Sequence, residues 1–317
     1  MLMLELYQNA LDTLGKEEVN NMRHVYNQND DKVFKDYMLK FFPNGSFKEK
    51  EAAFHTISLM SIYFEWEKYK QIYQFNKELF ELLISETDYK TLPSYALANC
   101  LPFPSLCINN KFSCEINGVI HIVDEVYIVV FKTDKGYCLS LSFLTAPFKS
   151  SSFQIPFDPS NEKETLSDLI DRYAETEEKR KGLIENSYLL TLTSQVISVL
   201  MYLCTDEKDI VTHKSPLSQK QLKGKPTKKD MMNISTVGAK SGKIIREYNK
   251  KVIYERDTST ETGRGASKRP HIRKAHFHSF WIGKKDGERK LIVKFLSPIF
   301  VKGDNGDTEI TTRKIKK

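Results

Sequence analysis

The segment 112–144 constrains the fold of this chain most strongly, because its residues alternate and are rich in Val, Ile, Tyr and Phe. Such alternation predicts β-strands, whose successive side chains point to opposite faces of a sheet. Asn117-Gly118 predicts one hairpin turn, and Asp134-Lys135-Gly136 predicts a second turn between strands near Val126–Lys132 and Tyr137–Phe143. The sequence therefore predicts an antiparallel sheet in the middle of the chain.

Helical patterns flank this sheet along the chain. Between about Lys48 and Ile84, apolar residues recur at three- and four-residue spacing, which predicts an amphipathic helix whose aromatic stripe faces the core. Asn161 and Glu164 form a capping-box pattern at the start of a later helix. The segment Ser187–Cys204 is apolar nearly all round, which is typical of a helix buried between a sheet and other helices. The stripe consists of Leu59, Ile62, Trp66, Tyr69, Tyr73, Phe80 and Leu83.

These patterns predict an α+β protein with an N-terminal helical region, a central antiparallel sheet packed with helices, and a C-terminal basic β-hairpin. The hairpin is expected to comprise Lys274–Ile282, a turn that contains Asp286-Gly287, and Arg289–Leu296. The corresponding division of the chain is a helical region over 1–95, an α+β core over 96–210, a basic linker over 211–232 and a basic C-terminal module over 233–317.

The formal charge is divided unevenly along the chain. Residues 211–317 hold 27 of the 48 Lys and Arg residues and 10 of the 41 Asp and Glu residues, a formal charge of +17, which leaves −10 on residues 1–210. A basic region of this kind favours contact with a polyanion, whereas the acidic part is expected to be scaffold or protein-facing surface. The alternative is that the basic region only makes the protein more soluble.

Several classes of protein are disfavoured by the sequence. An odd number of cysteines without a C-x-x-C pair argues against a disulfide framework and a zinc ribbon, and a reducing cytoplasm is the simplest compartment. The start MLMLELYQ lacks the basic region of a secretory signal, and no helix is expected to cross a membrane. Motifs of phosphate-binding loops, zinc proteases and serine hydrolases are lacking, so we expect no cofactor, metal or small-molecule substrate. The cysteines are Cys100, Cys107, Cys114, Cys138 and Cys204.

The stretch 269–283 concentrates the residues that carry chemistry. It holds three of the seven histidines, interleaved with basic and aromatic residues. On an extended strand, Lys274, His276, His278 and Phe280 share one face, and His271 has the opposite parity from the other two histidines. The RNA- or ribosome-binding candidates are Arg269, His271, Arg273, Lys274, His276, His278 and Trp281.

Four interpretations of this stretch compete. A metal site is disfavoured because the histidine spacing is not a zinc signature and no Cys lies nearby. His271, His276 and His278 are candidate catalytic residues if paired imidazoles cleave RNA without a metal through its 2′-OH. Recognition of RNA is the third interpretation, since Arg and Lys hold phosphate while His, Phe or Trp stack on unpaired bases. In the fourth, the histidines only support a hairpin and Trp281 lies in the core.

A second motif precedes this stretch and combines Gly238, Gly242, Arg246 and Tyr248. If it is helical, both glycines lie on one face and allow another backbone to approach closely. Together with the run Arg269–Gly283 and with Pro298-Ile299-Phe300-Val301, this motif resembles the C-terminal signature of a family of type V-A anti-CRISPR proteins. Phe277 stands where that family commonly has Trp, and Ala275 where Gly is frequent. The resemblance assigns structural roles to Gly238, Gly242, Arg246, Tyr248, Pro270, Gly283 and Pro298.

The resemblance implies a function in a mobile element of phage or plasmid type. Such proteins recognise the nascent N-terminal peptide of the type V-A CRISPR effector nuclease during translation, and the effector's mRNA is lost. The implied partners are therefore that peptide and the ribosome or mRNA, in the cytoplasm of a bacterial host, and the protein is expected to bind rather than to catalyse. The alternatives are a metal-independent endoribonuclease and a general RNA- or DNA-binding regulator of a phage or plasmid.

Overall fold

The computed structural model describes residues 2–5, 12, 15–28, 36–37, 59–85, 87–134, 136–145, 149–158, 160–161, 163–181, 187–206, 208–216, 231–258, 271–273, 275–284 and 289–301. The described strands are β1 (Gln71–Phe75), β2 (Ser105–Ile108), β3 (Phe112–Ile116), β4 (Val119–Val123), β5 (Glu125–Thr133), β6 (Gly136–Thr145), β7 (Lys149–Phe157), β8 (Ile210–Pro216), β9 (Met231–Val237), β10 (His271–Arg273), β11 (His276–Ile282), β12 (Lys290–Leu296) and β13 (Ile299–Val301).

The helices among the described residues pack around a central sheet. No described helix is both long and apolar enough to cross a bilayer. In chain order the helices are α1 (Lys16–Tyr26), α2 (residues 59–69), α3 (Lys77–Ser85), α4 (Tyr95–Asn99), α5 (Leu166–Lys181), α6 (Ser187–Leu203) and α7 (Ala239–Thr258).

Seven strands form the central sheet, in the order β7-β6-β5-β2-β1-β9-β8. The pairs β2–β5, β5–β6, β6–β7 and β8–β9 are antiparallel. Strand β1 runs parallel to both of its neighbours, β2 and β9. The predicted α+β class, with a helix-packed sheet and a C-terminal hairpin, is confirmed, and the sheet itself is mixed. Parallel neighbours need long crossover connections, so no local turn signal marks them in the sequence.

The predicted helix between Lys48 and Ile84 is wrong over Gln71–Phe75, which form β1. Helix α2 ends before Lys70, whose φ of 50° lies in the left-handed region, and α3 begins at Lys77. Strand β1 lies in the middle of the sheet and is buried on both faces. Its apolar residues Ile72, Tyr73 and Phe75 therefore do not alternate with polar ones, and a short pattern of this kind cannot be distinguished from a helix segment by periodicity alone.

Alternation along the strands divides the core between the two faces of the sheet. On one face, Tyr73 of β1 and Leu141 of β6 pack with helices α3 to α6. On the other face, Ile72 of β1 and Tyr127 of β5 pack with Trp66 of α2 and with α1. The apolar helix α6 is buried as predicted, and it lies within the first of these two cores.

The predicted capping box of Asn161 and Glu164 is wrong, because α5 begins four residues later. Thr165 N–H donates to Oδ2 of Asp168 at 2.9 Å, and Asp168 N–H donates to Oγ1 of Thr165 at 3.2 Å. Glu164 is instead buried, where it accepts hydrogen bonds from Ser94 Oγ at 2.9 Å and Arg172 Nη1 at 2.6 Å. The Thr165–Asp168 pair is a capping box one turn further along the chain.

The segment 211–232, predicted as a linker, includes most of β8 and the first residues of β9. Strand β9 pairs with β1 over its whole length, from Gln71↔Asn233 to Phe75↔Val237. The predicted boundary at 233 thus falls within a strand of the central sheet. Between these strands, residues 217–230 lie outside the described part of the chain.

All three predicted hairpins are present: β5–β6 lies in the central sheet, and the other two form separate two-stranded sheets. Strands β3 and β4 meet at Asn117 and Gly118, with φ of 52° and 76°, which is the primed turn favoured by Asn-Gly. Strands β11 and β12 pair from His276↔Leu296 to Ile282↔Lys290. Their predicted turn at Asp286-Gly287 lies outside the described residues. A further pair, β10–β13, holds His271 opposite Val301.

Candidate nucleic-acid interface

The β11–β12 hairpin is attached to the body of the protein through its backbone. Phe277 N–H donates to the carbonyl oxygen of Asp88 at 3.2 Å, and Asp206 N–H donates to that of Val293 at 3.2 Å. Both outer edges of the hairpin are thus hydrogen bonded to the body of the protein. These bonds hold the hairpin in one orientation relative to α6.

The inner face of the hairpin continues the core. Phe277 and Val293 are buried, and the ring of Phe295 lies 5.3 Å from that of Tyr202 in α6. Trp281 is partly buried on the same face, with its ring centroid 5.2 Å from that of Tyr95 in α4. These contacts explain why Phe277 and Trp281 are aromatic, since both lie on the face of the strand that packs against the core, with Ser279 between them.

The outer face of the hairpin is cationic and aromatic. His278 is exposed and pairs directly with Lys294 across the strands. The half-buried ring of Phe280 lies beside this pair, with its centroid 5.9 Å from that of the His278 ring and 5.6 Å from Lys294 Nζ. His276, Ile282, Lys290, Ile292 and Leu296 complete this face, which we call the outer hairpin face.

This arrangement provides the two elements that single-stranded nucleic acid needs. The exposed imidazole and the flanking phenyl ring offer planar surfaces on which unpaired bases stack, and each stacked base typically contributes about 1–3 kcal/mol. Lys294 and the exposed Lys290 supply charge for phosphate oxygens. Because the face has cations and rings but few directional donors, it is suited to sequence-tolerant binding.

The structure separates the predicted site residues. His276 and His278 share the outer hairpin face, whereas the backbone of His271 and Arg273 lies in β10, in another two-stranded sheet. Trp281 faces inward, away from both histidines. Arg269, Pro270 and Lys274 lie outside the described residues. No group of three His, Cys, Asp or Glu side chains that could hold a metal ion occurs within the described ranges.

The glycine motif forms a close contact between α7 and the start of α3. Gly238 has φ of 78°, and a Cβ atom there would lie 2.1 Å from Cδ2 of Leu79. A Cβ atom at Gly242 would lie 1.8 Å from Oδ1 of Asn76. A close approach is present, but it is made by side-chain atoms of Leu79 and Asn76, at the junction of β1 and α3, and not by another backbone as predicted; Gly238 also precedes α7 instead of lying within it.

Arg246 supports the same contact with charge. Its Nε donates to Oε1 of Glu78 at 2.7 Å. The pKa of Glu78 is held below its ordinary value, first by a hydrogen bond from the backbone N–H of Glu78 itself and then by the guanidinium of Arg246. The backbone of Tyr248 lies in α7, Gly283 follows β11 with φ of 124°, and Pro298 lies between β12 and β13.

Two polar residues at this contact were not predicted from the sequence. Oδ1 of Asn76 accepts hydrogen bonds from the backbone N–H of Glu78 at 3.1 Å and of Leu79 at 3.4 Å, so Asn76 caps α3. Asp209 accepts from the N–H of Lys240 and Ser241 at the start of α7. An Asn before a helix is a recognisable cap signal, whereas Asp209 is distant in sequence from the helix that it caps.

The fold and this hairpin define a class: an α+β protein whose mixed sheet carries a hairpin with a cationic, aromatic outer face. The chain belongs to the anti-CRISPR type V subtype A2 family, whose AcrVA2-like model matches residues 73–303. The crystal structure of AcrVA2 has a similar fold, with a TM-score of 0.57 and 16% identity over 94% of this chain and 97% of that chain. No curated protein matches this sequence. The family confirms the resemblance seen in the C-terminal signature and supports an anti-CRISPR function against type V-A systems.

Proposed function

We propose that this protein recognises the nascent N-terminal peptide of a type V-A CRISPR effector nuclease and triggers loss of the effector's mRNA. In this proposal the outer hairpin face contacts RNA of the translating complex, and host nucleases cleave the message. Membership of the anti-CRISPR type V subtype A2 family supports the target system. The observation that carries the RNA step is the arrangement of His278, Phe280 and Lys294 on one exposed face.

The charge division supports two separate surfaces. Residues 211–317 carry a formal charge of +17, whereas residues 1–210 carry −10. A basic surface is attracted to the phosphates of ribosomal RNA and mRNA, while an acidic surface avoids them and remains available to a peptide. A protein that binds the nascent peptide on one surface and RNA on another would act on the same message from which that peptide is being translated.

The test is to change the target peptide without changing the rest of the message. The protein is expressed in a bacterial strain that carries the effector gene, and effector mRNA is quantified against an unrelated transcript. In one version the first twenty or so codons are recoded synonymously, and in another they encode a different peptide. We expect depletion of the mRNA to persist after synonymous recoding and to be lost when the peptide changes.

The controls separate this proposal from direct action on RNA. A start-codon mutation, which blocks translation of the effector, is expected to abolish depletion. If mRNA carrying the altered peptide is depleted as strongly as the original, recognition of the nascent peptide is ruled out. Purified protein incubated with the mRNA in EDTA tests the endoribonuclease alternative, and we expect the RNA to stay intact.

A further inference from the structure

Two free cysteines meet where the ends of α4 and α6 come together. The backbone N–H of Cys100, which follows α4, donates to the carbonyl oxygen of Ala96 at 2.9 Å. Sγ of Cys204, which follows α6, donates to the same oxygen at 3.6 Å. Both cysteines therefore approach one atom, although they lie in segments that are far apart in the chain.

The two thiols differ in their access to solvent. Cys204 is buried, and burial, followed by the nearby Cys100, raises the pKa of its thiol well above the ordinary value. Cys100 is partly exposed, so a small reagent can reach it. Burial, followed by Asp206, also raises the pKa of Cys100, whereas Lys290 and Lys208 act in the opposite direction. Cys100 is therefore the thiol that a small oxidant reaches first, and Cys204 is its buried partner.

We propose that Cys100 and Cys204 form a reversible disulfide when the protein meets hydrogen peroxide. The Cys100 thiolate attacks one oxygen of the peroxide, so that an S–O bond forms, the O–O bond breaks, and hydroxide leaves and takes up a proton. The Cys204 sulfur then attacks the sulfur of the resulting sulfenic acid, so that the S–S bond forms, the S–O bond breaks, and the oxygen leaves as water. The two thiols together lose two electrons, and the peroxide is reduced to two molecules of water.

The disulfide joins the two helices on which the β11–β12 hairpin rests. Tyr95 of α4 contacts Trp281, and Tyr202 of α6 contacts Phe295, so both ends of the bond lie in segments that hold the inner face of the hairpin. A cross-link between distant parts of the chain restricts the unfolded state, so the oxidised protein is expected to have a higher urea midpoint than the reduced protein. Oxidation thus stabilises the attachment of the hairpin without changing its outer face.

The test measures disulfide formation in the full-length chain by mass spectrometry. The reduced protein is treated with an excess of hydrogen peroxide, denatured and alkylated. We expect two of the five thiols to escape alkylation and peptide mapping to link Cys100 to Cys204. The rate is expected to rise about tenfold from pH 7 to pH 8, because the thiolate fraction grows in that proportion while the pH stays below the raised pKa of Cys100.

One variant and a matched control identify the thiols that react. Cys100→Ser, at a partly exposed position, is expected to keep the fold and to abolish the cross-link. Cys138→Ser removes a thiol of β6 whose pKa is likewise raised by burial, and it is expected to form the cross-link at the wild-type rate. Dithiothreitol is expected to restore all five thiols of the oxidised wild-type chain.

Peptide mapping of the wild-type chain decides the question even if a variant fails to fold. A bond between other cysteines, a bond between two chains, or oxidation of Cys100 to sulfinic acid without a cross-link would overturn the proposal. Full alkylation of all five thiols after treatment with peroxide at pH 8 would overturn it as well.

Discussion

At the scale of single residues, Gly238 is the position where a substitution has the clearest structural consequence. An alanine there must adopt φ of 78° and also place its Cβ 2.1 Å from Leu79 Cδ2. The left-handed conformation costs about 1–2 kcal/mol, and forced repacking of a core residue adds about 1–3 kcal/mol. We expect Gly238→Ala to lower the free energy of unfolding by the sum of both, as measured by urea denaturation followed by circular dichroism.

Gly118→Ala is the matched control for this prediction. Gly118 has φ of 76°, nearly the same as Gly238, but nothing lies within 4 Å of its virtual Cβ. It therefore incurs only the conformational cost, about 1–2 kcal/mol. Equal losses of stability in the two variants would show that the close contact with Leu79 adds nothing to the free-energy cost of Gly238→Ala.

The same residues show what a sequence can reveal and what it cannot. The spacing of Gly238 and Gly242 predicted a close approach, because glycine is the residue that permits one. The identity of the approaching segment, Asn76 to Leu79, did not follow, since it is distant in the chain and carries no complementary motif. In the same way, the pattern around His276 predicted which side chains share a face, whereas only the structure shows that Lys294 stands opposite His278.

At the scale of elements, the two faces of the β11–β12 hairpin are expected to respond differently to truncation. Phe277 is buried on the inner face, and replacing it with alanine is expected to cost about 3–5 kcal/mol of stability. Phe280→Ala on the outer face removes a half-buried ring, so it is expected to lower the urea midpoint less than Phe277→Ala does but to weaken binding of single-stranded RNA by about 1–3 kcal/mol. Anisotropy with a labelled oligonucleotide measures this loss, and unchanged RNA affinity in Phe280→Ala would contradict an RNA-binding role for the face.

The start of α5 gives a prediction about pH. Hydrogen bonds from the backbone and side chain of Thr165 hold the pKa of Asp168 below its ordinary value. A lowered folded-state pKa means that this contribution to stability is present above the unfolded pKa, about 3.9, and is lost as the pH falls towards the folded value. The wild-type chain is therefore expected to be more stable than Asp168→Asn near pH 6, and the difference in urea midpoint is expected to shrink by pH 3.

Hairpins and the buried helix α6 were predictable because their signals are local. Asn117-Gly118 specifies a turn within two residues, and the apolar run of α6 is longer than a strand needs. Strand β1 was misassigned because a strand in the middle of a sheet, buried on both faces, has lost the alternation that identifies a strand. Its parallel pairing with β9 joins segments far apart in the chain, for which the sequence holds no short-range signal.

At the scale of the whole molecule, the proposed function needs separate surfaces for the peptide and for RNA, and the division of formal charge along the chain is consistent with this need. The outer hairpin face points away from α4 and α6, whose residues Tyr95 and Tyr202 contact the inner face of the hairpin. Helix α6 is buried along most of its length and therefore holds the hairpin in a fixed position on the core.

One double substitution on the outer hairpin face is expected to separate the two steps of the proposed function. His278→Ala combined with Lys294→Ala removes a ring and a charge from a cross-strand pair on the outer face, away from the core, so the fold should be retained. We expect this double variant to bind the effector's N-terminal peptide with unchanged Kd, yet to leave effector mRNA at the level of cells without the protein. Anisotropy measures the Kd for the peptide, and mRNA quantification measures depletion of the effector's message. Full depletion by the double variant would exclude the outer hairpin face from the RNA step.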